Sequence, residues 1–116
     1  MSFFSSLYTT TAQNSKSISV LTTTQYAEAI QGQDVALIDI RTPQEYAQGA
    51  IKGAVNIDYF EQELFLKKIS ALDKNKPVYL YCRSGNRSMK AARQLASLGF
   101  EKIYDLAGGY LAWSSK

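Results

Sequence analysis

Short apolar runs alternate with segments of helical periodicity along most of the chain. Val78–Tyr81 and residues 35–40 are apolar runs, as expected for strands that are covered on both faces. Ile18–Leu21, residues 54–57 and residues 102–104 are shorter strand candidates. Strands that alternate with helices over short connections favour a parallel sheet with helices on both faces. The pattern therefore predicts a single α/β domain.

Helix-start signals lie between these strand candidates. Two of them are capping boxes, in which a helix-start residue and the residue three positions later cap each other: Thr22 with Gln25, and Thr42 with Glu45. A third helix is predicted to begin at Asp58 and to bury apolar residues at helical spacing: Phe60, Leu64, Phe65, Ile69 and Leu72. A fourth is predicted to run from Ser88 to Leu98, because Gly99 has the position of a terminating glycine.

The length and composition set the domain organisation and the class of protein. A chain of 116 residues is one domain, for which we assign residues 1–16 to a flexible Ser/Thr-rich tail and residues 17–116 to the folded domain. No stretch approaches the roughly 20 apolar residues that cross a bilayer, and the start of the chain does not resemble a targeting signal. The net charge of +3 comes from dispersed basic residues. We therefore expect a cytoplasmic monomer that binds neither membrane nor nucleic acid.

The chain has one cysteine and no histidine, which removes several kinds of chemistry. An intramolecular disulfide is impossible, and a zinc site usually needs four Cys or His ligands. No Ser-His-Asp or Cys-His arrangement can form, so a nucleophile must be activated by something other than imidazole. We expect no metal and no cofactor.

Cys82 directly follows the strand Val78–Tyr81 and precedes a five-residue loop, residues 83–87, that leads into the predicted helix. A loop that curls around the sulfur would point successive N–H groups at it, and the helix N-terminus would add partial positive charge. Gly85 can adopt the positive φ that such a curl requires. Arg83 and Arg87 would add full positive charges at the rim. We expect such an arrangement to be able to stabilise a thiolate without histidine.

Three segments resemble the rhodanese family, specifically its single-domain members. They are YCRSGNRS at residues 81–88, LIDIRTPQEYAQGAIKGAVNI at residues 37–57 and GGYLAW at residues 108–113. The resemblance implies a five-stranded parallel sheet and a ping-pong sulfur transfer, in which Cys82 carries sulfur as a persulfide. The donor would be thiosulfate or a persulfide, and the acceptor would be cyanide or a thiol, including one carried by a protein. The loop implied to cradle the sulfur consists of Arg83, Ser84, Gly85, Asn86, Arg87 and Ser88, with Arg83 attracting an anionic donor.

Two positions depart from the family's pattern, and one pair of residues has two interpretations. Residues 49–51 read Gly-Ala-Ile where the family commonly has Gly-His-Ile, and Tyr110 replaces a frequent tryptophan. Asp39 and Arg41 would support the active loop from the neighbouring strand end, or would be structural, with Arg41 pairing with Glu45 at helical spacing. Tyr110 and Trp113 are expected to pack in the core or at its rim.

Two other functions use the same features. A phosphatase or arsenate reductase of this design has an arginine six positions after the cysteine, whereas Cys82 and Arg87 are five apart, and the shorter ring suits a single sulfur atom. A non-catalytic rhodanese-like module would bind partners or regulate, although such modules often lack the cysteine. The sequence favours a sulfurtransferase.

Overall fold

A computed structural model describes residues 16–32 and 34–115. Its elements in chain order are β1 (Ile18–Leu21), α1 (Thr23–Ile30), β2 (Ala36–Asp39), α2 (Pro43–Ala47), β3 (Val55–Asn56), α3 (Gln62–Ser70), β4 (Val78–Tyr81), α4 (Asn86–Ser97), β5 (Ile103–Leu106) and α5 (Gly109–Ser114). The strands form one sheet in the order β1-β5-β4-β2-β3, and every neighbouring pair is parallel. The predicted five-stranded parallel α/β domain is confirmed. The predicted tail falls outside the described residues except for Lys16.

Helices cover both faces of the sheet and create two apolar layers. One layer packs α3 and α4 against the sheet through residues such as Phe65, Ile69, Leu80, Leu95 and Ile103. The other packs α1 and α5 through residues such as Tyr26, Leu37, Tyr79, Tyr81 and Leu106. Since side chains alternate along a strand, β4 sends Leu80 to the first layer and Tyr81 to the second. Cys82 continues the alternation and belongs to the first layer.

Both predicted capping boxes form. The hydroxyls of Thr22 and Thr42 accept from the backbone N–H groups of Gln25 and Glu45, whose side chains cap in return. Each pair satisfies two helix-end donors that would otherwise lack partners.

Three predicted boundaries are wrong, and each has a local reason. Asp58 does not cap α3; its carboxylate accepts the Phe60 N–H at 2.9 Å in a preceding turn, and the helix begins at Gln62 with Phe60 outside it. Helix α4 begins at Asn86 rather than Ser88, because Gly85 takes φ +110° and turns the chain into the helix. Strand β5 extends past the predicted residue 104 to Leu106, because its pairing with β1 continues to Leu21 opposite Leu106, although the strand then contains the buried acid Asp105.

In the part of the chain that the structure describes, no helix has the length and apolar character needed to cross a membrane.

Two fully buried tyrosines differ in what their hydroxyl groups contact. Tyr81 donates to Oδ2 of Asp39 at 2.8 Å and accepts the backbone N–H of Ile51 at 3.0 Å. Tyr26 packs edge-on against the ring of Tyr79, and its hydroxyl has no hydrogen-bond partner among the described residues. Burial raises the pKa of both phenols, so both hydroxyls keep their protons.

Replacing each tyrosine by phenylalanine should therefore have different effects on stability. Tyr81→Phe leaves the Ile51 N–H without a partner and removes one of the donors to Oδ2 of Asp39, which keeps its bonds from Arg41. We expect it to lower the free energy of unfolding by about 1–3 kcal/mol. Tyr26→Phe removes a hydroxyl to which no described residue bonds, so stability should stay constant or rise. Denaturant unfolding of the two variants measures both values, and equal losses would contradict this account.

Candidate active site

The sulfur of Cys82 lies at the centre of the loop that follows the central strand β4. Its side chain is 1% exposed. Backbone N–H groups of Gly85 and Ser88 donate to Sγ at 3.1 and 3.3 Å, and Oγ of Ser88 lies 3.4 Å away. These donors suit a negatively charged sulfur, because hydrogen bonds to the charged form stabilise it.

Helix α4 begins beneath the sulfur. Gly85 is its N-cap, with φ +110°, and the Gly85 carbonyl accepts the first helical bond from the Met89 N–H at 3.2 Å. The predicted positive φ of Gly85 is confirmed. The helix has twelve residues, and its aligned peptide dipoles give its N-terminus a partial positive charge. Because the N-terminus lies next to Sγ, this charge faces the thiol. Ser88, in the first turn, is fully buried.

The outer side of the loop is held by the first turn of α5. The N–H groups of Tyr110 and Leu111 donate to the carbonyls of Cys82 and Arg83 at 2.8 and 3.0 Å. This contact requires glycine at position 109, because a Cβ there would lie 2.5 Å from the Arg83 carbonyl group. Sequence reasoning missed the role of Gly109; the paired glycines of the closing motif were its signal.

Asp39 and Arg41 bind each other beside the loop. Arg41 donates to the Asp39 carboxylate through Nε at 2.9 and 3.1 Å and through Nη2 at 2.6 Å, and both side chains are almost fully buried. Nη2 also donates to the Gly49 carbonyl at 2.6 Å, and the guanidinium lies 4.3 Å from the ring centre of Tyr110. The pair thus joins the end of β2 to the residues 49–51 segment and to α5.

Glu45 pairs with Arg87 rather than with Arg41. The two guanidinium nitrogens Nη1 and Nη2 of Arg87 lie 2.9 and 3.0 Å from the two carboxylate oxygens. The hydrogen bond with Arg87 holds the pKa of Glu45 at about 2. The predicted alternative, an Arg41–Glu45 ion pair at helical spacing, is wrong, because Asp39 already occupies Arg41. The charge of Arg87 is consequently balanced, and its guanidinium lies over the ring of Phe60.

The other loop side chains lie at the surface. Arg83, Ser84 and Asn86 are exposed. Arg83 borders a cleft of about 250 Å³ that Arg41 and Tyr110 also line. Among the described residues the Arg83 guanidinium forms no ion pair, unlike those of Arg41 and Arg87. Arg83 is therefore an exposed cation of the loop whose charge is not balanced by an ion pair within the described residues.

Tyr110 and Trp113 pack where the sequence suggested. The ring of Tyr110 stacks on Tyr81, with centroids 6.1 Å apart, and Trp113 meets Tyr26 edge-on at 6.3 Å. Across residues 16–32 and 34–115, no cluster of three or more His, Cys, Asp or Glu side chains could hold a metal ion.

Comparison with known proteins gives the class to which this fold and site belong. Residues 22–116 match the rhodanese-like domain. A sulfurtransferase of Allochromatium vinosum is 40% identical over 82 residues, which cover 71% of this chain and 74% of the relative. The thiosulfate sulfurtransferase GlpE of Pseudomonas fluorescens is 36% identical over 91 residues, which cover 78% of this chain and 81% of that protein.

A solved structure agrees with these sequence matches. The rhodanese-related protein of Thermoplasma volcanium superposes with a TM-score of 0.70 at 29% identity, covering 83% of this chain and 90% of that one. The chain belongs to the rhodanese-like domain family, and curated relatives of it are sulfurtransferases.

Gly109→Ala should destabilise the protein by more than the strain of placing alanine at a positive φ, because the new Cβ would also collide with the cysteine loop. Gly53→Ala is the matched control, since Gly53 also has positive φ but a Cβ there meets nothing within 4 Å. We expect the control to lose about 1–2 kcal/mol of unfolding free energy. Gly109→Ala should lose more and should increase the rate at which a neutral alkylating reagent reaches the buried thiol. Equal behaviour of the two variants would show that the close approach is unimportant.

Proposed function

We propose that this protein is a sulfurtransferase that carries sulfur as a persulfide on Cys82. The thiolate attacks the outer sulfur of a donor such as thiosulfate. A sulfur–sulfur bond forms at Cys82, the donor's sulfur–sulfur bond breaks, and sulfite leaves with the electron pair. The terminal sulfur then passes to cyanide in an assay, or to a cellular thiol, and the thiolate returns.

The observation that carries this proposal is the pair of N–H groups, from Gly85 and Ser88, that point at Sγ at the start of α4. They suit the anionic sulfur of the thiolate, and the same loop suits a persulfide, whose single negative charge lies on the outer sulfur. The short ring, with Cys82 and Arg87 five positions apart, favours one sulfur atom over a tetrahedral oxyanion. The names of the relatives support the same chemistry.

The roles of the neighbouring residues follow from their charge balance. Arg83 attracts the anionic donor, because it is exposed and forms no ion pair among the described residues. Asp39 and Arg41 position the loop and do not react, because each is occupied by the other. Arg87, in the first turn of α4, likewise positions the loop and does not react, because its charge is paired with Glu45 of α2.

Intact mass spectrometry tests the proposal directly. After brief incubation with thiosulfate, the chain should gain one sulfur atom, and cyanide should remove it as thiocyanate forms. Cys82→Ala should gain nothing. If the chain gains no sulfur from thiosulfate, although its thiol is shown to be accessible and unoxidised, the experiment is repeated with a persulfide donor. Failure with both donors would overturn the proposal and favour a binding or regulatory module.

Arg83→Ala should weaken the use of an anionic donor selectively. We expect KM for thiosulfate to rise by about tenfold, equivalent to about 1.4 kcal/mol, while single-turnover reaction with an uncharged donor changes little. Arg93→Ala removes the same charge from an exposed position further along α4 and serves as the control. Equal losses with charged and uncharged donors would show that Arg83 acts on the thiolate or the transition state.

A further inference from the structure

Arg87 is a cation beside the sulfur of Cys82, but its guanidinium is bound to a carboxylate. Its backbone adjoins Sγ, because the next residue, Ser88, donates its N–H to Sγ at 3.3 Å. The guanidinium donates to both carboxylate oxygens of Glu45, at 2.9 and 3.0 Å, and lies 5.2 Å from the ring centre of Phe60. The proposed reaction gives Glu45 no part beyond this pairing.

Without the pairing, the loop around Cys82 would have the parts of a site for a tetrahedral oxyanion. The N–H groups of Gly85 and Ser88 converge at the start of a twelve-residue helix, and converging donors of this kind bind anions. A free guanidinium adds two parallel donors that match two oxygens of sulfate or phosphate. In this structure the Glu45 carboxylate accepts those two hydrogen bonds from Arg87.

We propose that Glu45 determines which anions the loop around Cys82 accepts, by binding Arg87 so that a tetrahedral oxyanion cannot. The backbone donors then remain for a single sulfur, whereas sulfate and phosphate lose the cation that would hold them. A donor such as thiosulfate presents one sulfur to the loop and leaves its oxygens outside, where Arg83 is exposed. Sulfite, the product that leaves, is an oxyanion too, so the same pairing favours its release.

The geometry around Glu45 makes the pairing strong. Its Oε1 also accepts the backbone N–H of Thr42 at 3.0 Å and the Thr42 hydroxyl at 3.2 Å, which fixes the carboxylate at the start of α2. The side chains of Arg87 and Glu45 are 18% and 27% exposed, so solvent screens this bidentate pair less than one at an open surface. The hydrogen bond from Arg87 holds the pKa of Glu45 at about 2, so the carboxylate stays ionised at neutral pH.

The two other arginines near the loop do not replace Arg87. Arg41 is nearly fully buried and is bound to the carboxylate of Asp39. Arg83 is exposed and borders the cleft of about 250 Å³ that Glu45 also lines. An anion attracted by Arg83 therefore reaches a cleft where Glu45 has already taken the charge of Arg87.

Glu45→Gln separates the charge of this residue from its structural role. Glutamine can keep the capping box, because Gln25 caps Thr22 in the same way at the start of α1, accepting the Thr22 N–H at 2.9 Å. The neutral amide no longer balances the guanidinium of Arg87. The variant thus frees a cation beside the loop while it preserves the start of α2.

Titration with sodium sulfate at constant ionic strength tests the proposal, with the amide NMR signals of Gly85 and Ser88 as the readout. We expect sulfate to bind Glu45→Gln at least about tenfold more tightly than the wild type, because a charged donor is added to the site. A residue with only a structural role would not produce this gain. An unchanged sulfate affinity of a folded Glu45→Gln would overturn the proposal.

Two control variants assign the gain to Arg87. Glu45→Gln/Arg87→Gln removes both charges without changing the net charge, and its sulfate affinity should return to within about twofold of the wild type. Glu28→Gln removes the same charge from an exposed position of α1 and should leave the affinity unchanged. Tighter binding that persists in the double variant, or an equal gain in Glu28→Gln, would contradict the proposal.

Arg87→Gln provides the test if Glu45→Gln alone does not fold. It leaves the carboxylate of Glu45 without its cation at the loop, so it should bind sulfate more weakly than the double variant, which lacks both charges. Equal sulfate affinities of these two variants would show that the charge of Glu45 does not act on the loop.

The inference deepens the proposed function and rests on it only for the passage of sulfur. The titration uses sulfate and requires no sulfur donor. The expected gain in sulfate affinity without sulfur transfer by the wild type would refute the proposed function alone. Sulfur transfer by the wild type without that gain would refute the role of Glu45 alone.

Discussion

A loop that turns its N–H groups inward to one sulfur must turn its carbonyl groups outward, and this constraint governs the site. The inward donors come from Gly85 and Ser88. Outward carbonyls of Cys82 and Arg83 receive N–H groups from the first turn of α5, which approaches so closely that only glycine fits at position 109. Because buried backbone groups need partners, the closing GGYLAW segment completes the loop that follows β4. The geometry of the thiol thus depends on residues more than twenty positions away.

The same requirement for partners explains the buried charges beside the loop. The Asp39 carboxylate accepts from Arg41 and from the Tyr81 hydroxyl, and Tyr81 in turn accepts the Ile51 N–H. Breaking one member of such a network leaves the others buried without partners, which is more damaging than losing an exposed ion pair. The network therefore gives β2, β4 and residues 49–51 one fixed arrangement at the edge of the sheet where Cys82 lies.

The features that sequence reasoning predicted correctly depend on contacts between near neighbours. The capping boxes at Thr22 and Thr42, the positive φ of Gly85 and the strand–loop–helix around Cys82 are of this kind. The features it missed depend on distant partners. Arg87 and Glu45 are 42 residues apart, so helical spacing suggested a different partner for Glu45. The predicted last strand stopped at residue 104, whereas the folded sheet continues through Asp105 and buries it within β5.

Charge pairing leaves an asymmetry across the sulfur that bears on how such a site works without histidine. Arg41 is balanced by Asp39 and Arg87 by Glu45. Of the charged groups described around the loop, the unpaired ones are Arg83 on the exposed side and Asp105 on the buried side. An exposed cation favours the approach of an anion, as the proposed reaction with an anionic donor requires. Under the proposed mechanism, the two N–H donors at Sγ therefore take over the stabilising role that a histidine would have, and Arg83 supplies the attraction for an anionic donor.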